Sequence, residues 1–190
     1  MGSGSSEDHA QSGEHPVVTL KTPAPKINSA TLNTIKNAGF VIKQISYNPD
    51  LLDITLPSKE GVSGNDKIKL LSAIKGNIYW LNISDNQITD DQLSVVKTFA
   101  NLQRLRLDEN PVTDKGIQQL KALPALESLN LCNTKITAAS VPVLKEIKSL
   151  KTVYVWGTSI GAQMPQDSAA LRVVSAFAKS GDKTEVINKP

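Results

Sequence analysis

The side chains in this sequence that could do chemistry at a surface recur at a fixed interval. Trp80 stands 24 residues before Arg104, and Asn82, Arg106, Asn130 and Tyr154 follow one another at the same spacing. A third series, Ser84, Asp108, Cys132 and Trp156, repeats it again. Guanidinium forks and large rigid rings dominate the binding energy of protein interfaces. Trp80, Arg104, Arg106, Tyr154 and Trp156 are therefore candidates for holding a partner. Asn82, Asp108 and Asn130 add hydrogen-bonding groups, so the same set suits a protein partner or, alternatively, carbohydrate stacked on the aromatic faces. Catalysis fits less well. Both histidines, His9 and His15, fall in the polar N-terminal tail, which leaves no imidazole base for the folded part. Cys132 is the single cysteine; it excludes an internal disulfide and a multi-cysteine zinc site, and no adjacent histidine or lysine lowers its pKa. It reads as a small structural residue. Asp108 and Glu109 beside Arg104 and Arg106 read as a charge balance, and Asp90 and Asp91 as part of a solvated face. No nucleophile–base pairing, phosphate loop or metal-ligand spacing is visible, so no catalytic residue, metal or cofactor is assigned.

The elements that must position these residues follow from the phrases LNISDNQIT, LRLDENPVT and LNLCNTKIT at Leu81, Leu105 and Leu129. Aligned, they give apolar columns: Ile78, Leu102, Leu126, Leu150; Leu81, Leu105, Leu129, Val153; Ile83, Leu107, Leu131, Val155; and Ile88, Val112, Ile136, Ile160. An Asn/Thr column, Asn86, Asn110, Thr134 and Thr158, runs between them. This is the leucine-rich repeat pattern L-x-x-L-x-L-x-x-[N/T]-x-[I/V]. The rest of each unit carries apolar residues three apart, as in Leu93, Val96 and Phe99, then Ile117, Leu120 and Leu123, then Val141, Leu144 and Ile147, which make one face of a short helix. Thr89 with Gln92 has the spacing of a capping box.

A strand, a turn and a helix per unit cannot bury an apolar face alone, so the units must stack. The expected fold class is α/β: a leucine-rich repeat solenoid with a parallel sheet on its concave face, helices on its convex face, and a cap at each end. Strands are predicted near residues 52–56, 79–83, 103–107, 127–131 and 151–155. The Asn/Thr column is expected to bond the backbone of the neighbouring turn. Alternation along a strand sends the leucines inward and their neighbours outward, which puts three rows on the concave sheet. These are Asp53, Trp80, Arg104, Ser128, Thr152; Thr55, Asn82, Arg106, Asn130, Tyr154; and Pro57, Ser84, Asp108, Cys132, Trp156. Trp80 is placed roughly 10 Å from the Tyr154/Trp156 pair, with the arginines between them. Late-repeat aromatics can instead pack against a terminal cap, and that reading stays open for Trp156.

A chain of 190 residues with 39% hydrophobic content can bury one core. Its net charge of +3, well interspersed, points to neither nucleic acid nor a membrane surface. No apolar run is long enough to span a bilayer. Residues 1–26, beginning MGSGSSEDHAQSGEHP, read as a disordered tag or linker. Residues 27–190 read as a single domain, with an N-terminal cap over 27–50, repeats over 51–160 and a C-terminal cap over 161–190. In the last segment DSAALRVVSAFAKSG predicts a helix with Leu171, Val174 and Phe177 inward, and TEVI a final strand.

The lead-in LNTIKNAGFVIKQISYNPDLLDITL and the late repeats LCNTKIT and VYVWGTSI, within a stretch from about Ala30 to Ile160, resemble the C-terminal leucine-rich region of certain bacterial membrane proteins. Those proteins, of planctomycete and Bacteroidetes type, carry a c-type cytochrome module ahead of the repeats. The resemblance implies a soluble fragment on the periplasmic or extracytoplasmic side of the inner membrane, belonging to a larger envelope protein. It implies docking to a protein partner or to a haem domain of the same polypeptide. The chain has no C-x-x-C-H, so any haem would belong to that other module.

Overall fold

The structure, a computed structural model, describes residues 20–59, 61–160 and 172–174. Over these the chain forms α1 (Ser29–Asn37), β1 (Val41–Tyr47), β2 (Asp50–Thr55), α2 (Asn65–Ile68), β3 (Ile78–Asn82), α3 (Leu93–Val96), β4 (Arg104–Arg106), α4 (Asp114–Leu120), β5 (Ser128–Asn130), α5 (Ser140–Glu146), β6 (Thr152–Tyr154) and β7 (Arg172–Val174). The strands lie in one sheet in chain order. β1 and β2 pair antiparallel, and every later pair is parallel. This is a mixed α/β, leucine-rich repeat-like arrangement.

The register carries the repeat. Leu81, Leu105, Leu129 and Val153 are opposite one another across β3 to β6, flanked by Trp80, Arg104, Ser128, Thr152 on one side and Asn82, Arg106, Asn130, Tyr154 on the other. The central leucines are at most 2% exposed while Arg104 and Arg106 are exposed, as alternation demands. All four apolar columns are buried, together with the Leu93, Ile117 and Leu144 helical faces. In α5 Val143 takes the inward place, and Val141 packs half-buried against the core.

Two polar ladders tie unit to unit. In the first, the Asn110 carboxamide accepts from the Asn86 and Ile88 amides (3.0 and 2.9 Å) and donates to the Ile83 carbonyl of the preceding unit (2.9 Å). Asn86 donates to the Leu56 carbonyl at 2.9 Å. These groups would otherwise be buried unpaired. Thr134 and Thr158 differ from expectation: their hydroxyls donate to Leu131 and Val155 of their own units, both at 2.6 Å. A threonine hydroxyl is too short, and has too few donors, to bridge as a carboxamide does.

The second ladder corrects the reading of Asp90 as solvated. Asp90 is half-buried, and its carboxylate accepts from both the amide and the hydroxyl of Thr113 (2.9 and 2.6 Å). Asp114 receives the same pair from Thr137 (2.8 and 2.6 Å). Thr89 instead makes the expected capping contact with Gln92. The helix starts at Thr113 and Thr137 are thus each pinned to the one before.

Residues 21–26, the end of the expected linker, cross the starts of the strands. Asn101, 1% exposed, accepts from the Lys21 and Thr22 amides (2.8 and 3.1 Å) and donates to the Thr22 and Gly76 carbonyls (both 2.8 Å). Asn77 donates to the Pro25 carbonyl at 2.7 Å. Residues 1–19 of the expected tail lie outside the described residues, as do the predicted TEVI strand and most of the predicted C-terminal helix. Where that helix was expected, residues 172–174 form β7, with Val173 opposite Val153. The β-branched pair Val173–Val174 suits a pleated surface, and Val173 extends the leucine column at a shorter interval than the repeat sets.

Candidate functional site

The face of the sheet turned away from the helices carries the first two outward rows in the order the sequence gives. Their side chains, Thr152 excepted, line an open groove of about 430 Å³. Trp80, Asn82, Arg104, Arg106, Asn130 and Tyr154 all border it, joined by Asp53, Thr55 and Ser128. Asp108 and Trp156 lie on the turn beyond the strand ends and do not line it. Trp80 and Tyr154 are three strand intervals apart, about 14 Å, so the aromatics are farther apart than the roughly 10 Å expected. Asp53, Thr55 and Ser128 sit in the predicted rows, but their small polar side chains gave no separate signal.

The Arg104 guanidinium lies over the Trp80 ring, with its central carbon 4.4 Å from the ring centroid. Such a cation–π contact holds both side chains in place at modest energy. Tyr79 leans against the same indole, centroids 6.1 Å apart. The Trp80 indole N–H is shielded from solvent and has no acceptor among the described residues. On the far side of Trp80, Asp53 pairs across β2–β3. Burial pushes its carboxyl above the ordinary range, against the pull of Lys43 and Arg104.

Arg106 is committed elsewhere. Its Nε and Nη2 donate to the two Asp108 oxygens at 3.2 and 2.9 Å, a bidentate pair that raises the guanidinium pKa further. Arg106 and Asp108 therefore cancel, as a charge balance should. Cys132 is half-buried. Desolvation pushes its thiol up, with Asp108 and Glu109 adding to the effect, over the opposing bond from the Trp156 backbone, so thiolate chemistry is disfavoured. Tyr154 and Trp156 are 38% and 39% exposed.

One recurrent feature escaped the sequence reading. Asp85, Glu109, Asn133 and Gly157, again 24 apart, all have positive φ, from 52° to 70°. Each of the first three donates its amide to the carbonyl of Asp108, Cys132 or Trp156 in the next unit (3.0, 2.9 and 2.8 Å). This left-handed turn follows directly on the third row, whose Ser84 and Asp108 side chains bond back to Asn82 and Arg106 without lining the groove. Only Gly157 announces it, and there a Cβ would run into the Asn133 carboxamide. The other three types tolerate the conformation at a cost, so their identities vary.

Among the described residues no helix is long and apolar enough to cross a membrane, and no cluster of three His, Cys, Asp or Glu could hold a metal. No family model and no curated protein matches the chain. Among solved structures it is similar to internalin C2 of Listeria monocytogenes strain 4b F2365, at 27% identity and a TM-score of 0.41. The match covers 47% of this chain and 37% of that one, so this chain corresponds to well under half of that protein. The leucine-rich repeat-like fold is carried by the 24-residue register and the parallel sheet, not by that likeness.

Proposed function

We propose that this chain is a non-catalytic protein-interaction module that holds its partner on the open face of the sheet. The observation that carries this reading is the groove itself: a sheet face that no helix covers among the described residues, bordered by Trp80, Arg104 and an exposed Tyr154. The reactive groups nearby are already occupied or subdued. Asp108 is bound to Arg106, and the Cys132 thiol is pushed up by burial. The finer architecture belongs to the same proposal: a curved solenoid with the groove on its concave side, an N-terminal cap over 27–50 and a C-terminal cap after residue 160. By its lead-in and late repeats, the module is the extracytoplasmic C-terminal part of a larger bacterial envelope protein. Its partner is another protein or a haem domain of the same polypeptide.

The test is selection of binders from a random displayed peptide library on the immobilised protein. Tyr154→Ala or Arg104→Ala should weaken the selected binders by ~2 kcal/mol or more with little change in melting temperature, and Lys97→Ala should do neither. Trp156→Ala separates partner contact, which costs binding, from cap packing, which costs stability. Binders indifferent to every groove substitution would place the site elsewhere.

A further inference from the structure

The hydrogen-bonding groups of the groove are unevenly spent, and the imbalance specifies the partner. The Asn82 side-chain oxygen accepts from the Ser84 amide and hydroxyl at 3.1 and 2.7 Å. The Asn130 oxygen accepts from the Cys132 amide at 3.0 Å. Because a backbone N–H can only donate, these bonds fix both carboxamides the same way round. Their Nδ2 groups are left without an acceptor among the described residues. The Ser128 hydroxyl is in the same position, as is the shielded Trp80 indole N–H. Arg104 makes no ion pair among the described residues: Asp108 is taken by Arg106, and Asp53, although its carboxyl feels the Arg104 charge, forms no ion pair with it. Apart from the Asp53 carboxylate at the β2 end of the groove, the carboxamide and carboxylate acceptors of the face are consumed by the fold, while the donors from Trp80 to Asn130 remain.

We infer that the groove takes an acidic, extended protein segment, with an Asp or Glu side chain seated between Arg104 and Ser128 and further acceptors meeting the Asn82 and Asn130 amides. This rests on the reading of the open face as the docking site. A carboxylate matches the guanidinium fork bidentately, and a guanidinium already braced on an indole loses little freedom in forming the pair. The position is set by the opposing charge: Asp53 stands on the far side of Trp80, so an incoming acid is drawn to the Ser128 side of Arg104. A neutral sugar is the poorer occupant, because Arg104 covers the Trp80 face on which a ring would stack.

The experiment takes the peptides selected above, together with oligogalacturonate as an acidic sugar. It follows the Trp80 indole and the Asn82 and Asn130 carboxamide resonances by NMR. The selected sequences should be enriched in Asp and Glu, and should shift those resonances. Converting their acids to Asn and Gln, or Arg104→Ala in the protein, should each weaken binding by about tenfold or more. Arg104→Lys should restore part of it. Groove binders without acidic residues would overturn this inference while leaving the docking site in place. Acidic binders indifferent to Arg104→Ala but weakened by Tyr154→Ala would overturn this inference alone, and acidic binders indifferent to every groove substitution would overturn both. Oligogalacturonate binding more tightly than any peptide would replace the protein segment by an acidic polysaccharide. A library yielding nothing above the Arg104→Ala background would overturn the inference equally.

Discussion

At the scale of single residues, alternation decides everything about the strands. Leu107 is fully buried, while Arg106 beside it is exposed and bound to Asp108 across its own turn. Truncating Leu107 to Ala should cost ~2–5 kcal/mol, the range for buried leucines. Arg106→Ala should cost less than ~1 kcal/mol, because the guanidinium end of its ion pair is exposed and solvent-screened. Urea denaturation of the two variants measures the difference, and equal losses would mean the inward and outward assignments are wrong. The eight candidate residues were legible because they occupy outward columns of a repeat. Their partners were not: the bidentate bond to Asp108 and the placement of Arg104 on Trp80 depend on rotamers that spacing leaves open.

At the scale of the element, the helices are short, α3 only Leu93–Val96, and short helices have little stability of their own. The Asp–Thr ladder supplies a link from each helix start to the next. Burial works to raise the Asp114 carboxyl, yet the bonds from Ser140 and Thr137 outweigh it and hold the group below the ordinary range. A carboxyl depressed in the folded state stabilises the fold above its unfolded-state pKa. It loses that contribution as pH falls through the folded value. Stability measured by urea titration should therefore drop on acidification from about pH 6 to about pH 3, and drop less in Asp114→Asn. An identical slope in the variant would remove Asp114 from the acid response. The sequence displayed Thr89 as a cap through its spacing to Gln92. It could not show that Thr113 and Thr137 find their acceptor in the preceding unit.

At the scale of the whole molecule, the stack is held along its strand starts by the segment over 21–26. Asn101 alone makes four bonds there, three of them to Lys21 and Thr22. Asn101→Ala leaves those groups unsatisfied, so stability should fall by about 1–3 kcal/mol. Amide exchange at Lys21 and Thr22 should accelerate well before that of the core strands. Exchange unchanged in the variant would mean the segment is held by other contacts. The loss should be felt locally, since each unit of a repeat stack touches only its neighbours.

The sequence by itself determined the repeat, its 24-residue register, the inward columns and the rows facing outward, because burial of a periodic apolar pattern admits one alternation and one stacking. Composition and spacing therefore sufficed for a mixed α/β, leucine-rich repeat-like fold and for six of the residues that border the groove, while Asp108 and Trp156 fell outside it. Tertiary structure alone decided how polar groups are spent. The Asn110 carboxamide bridging two units, the Asp90 carboxylate accepting from Thr113, the strap on Asn101 and the repeated left-handed turn all join residues that are local in space and distant or unmarked in sequence. β7 belongs with them: the helical periodicity of its segment was real, but the open edge of β6 offers Val173 a hydrogen-bonded place beside Val153. Hydrophobic periodicity is a property of the chain, whereas hydrogen-bond satisfaction is settled only when neighbouring units meet.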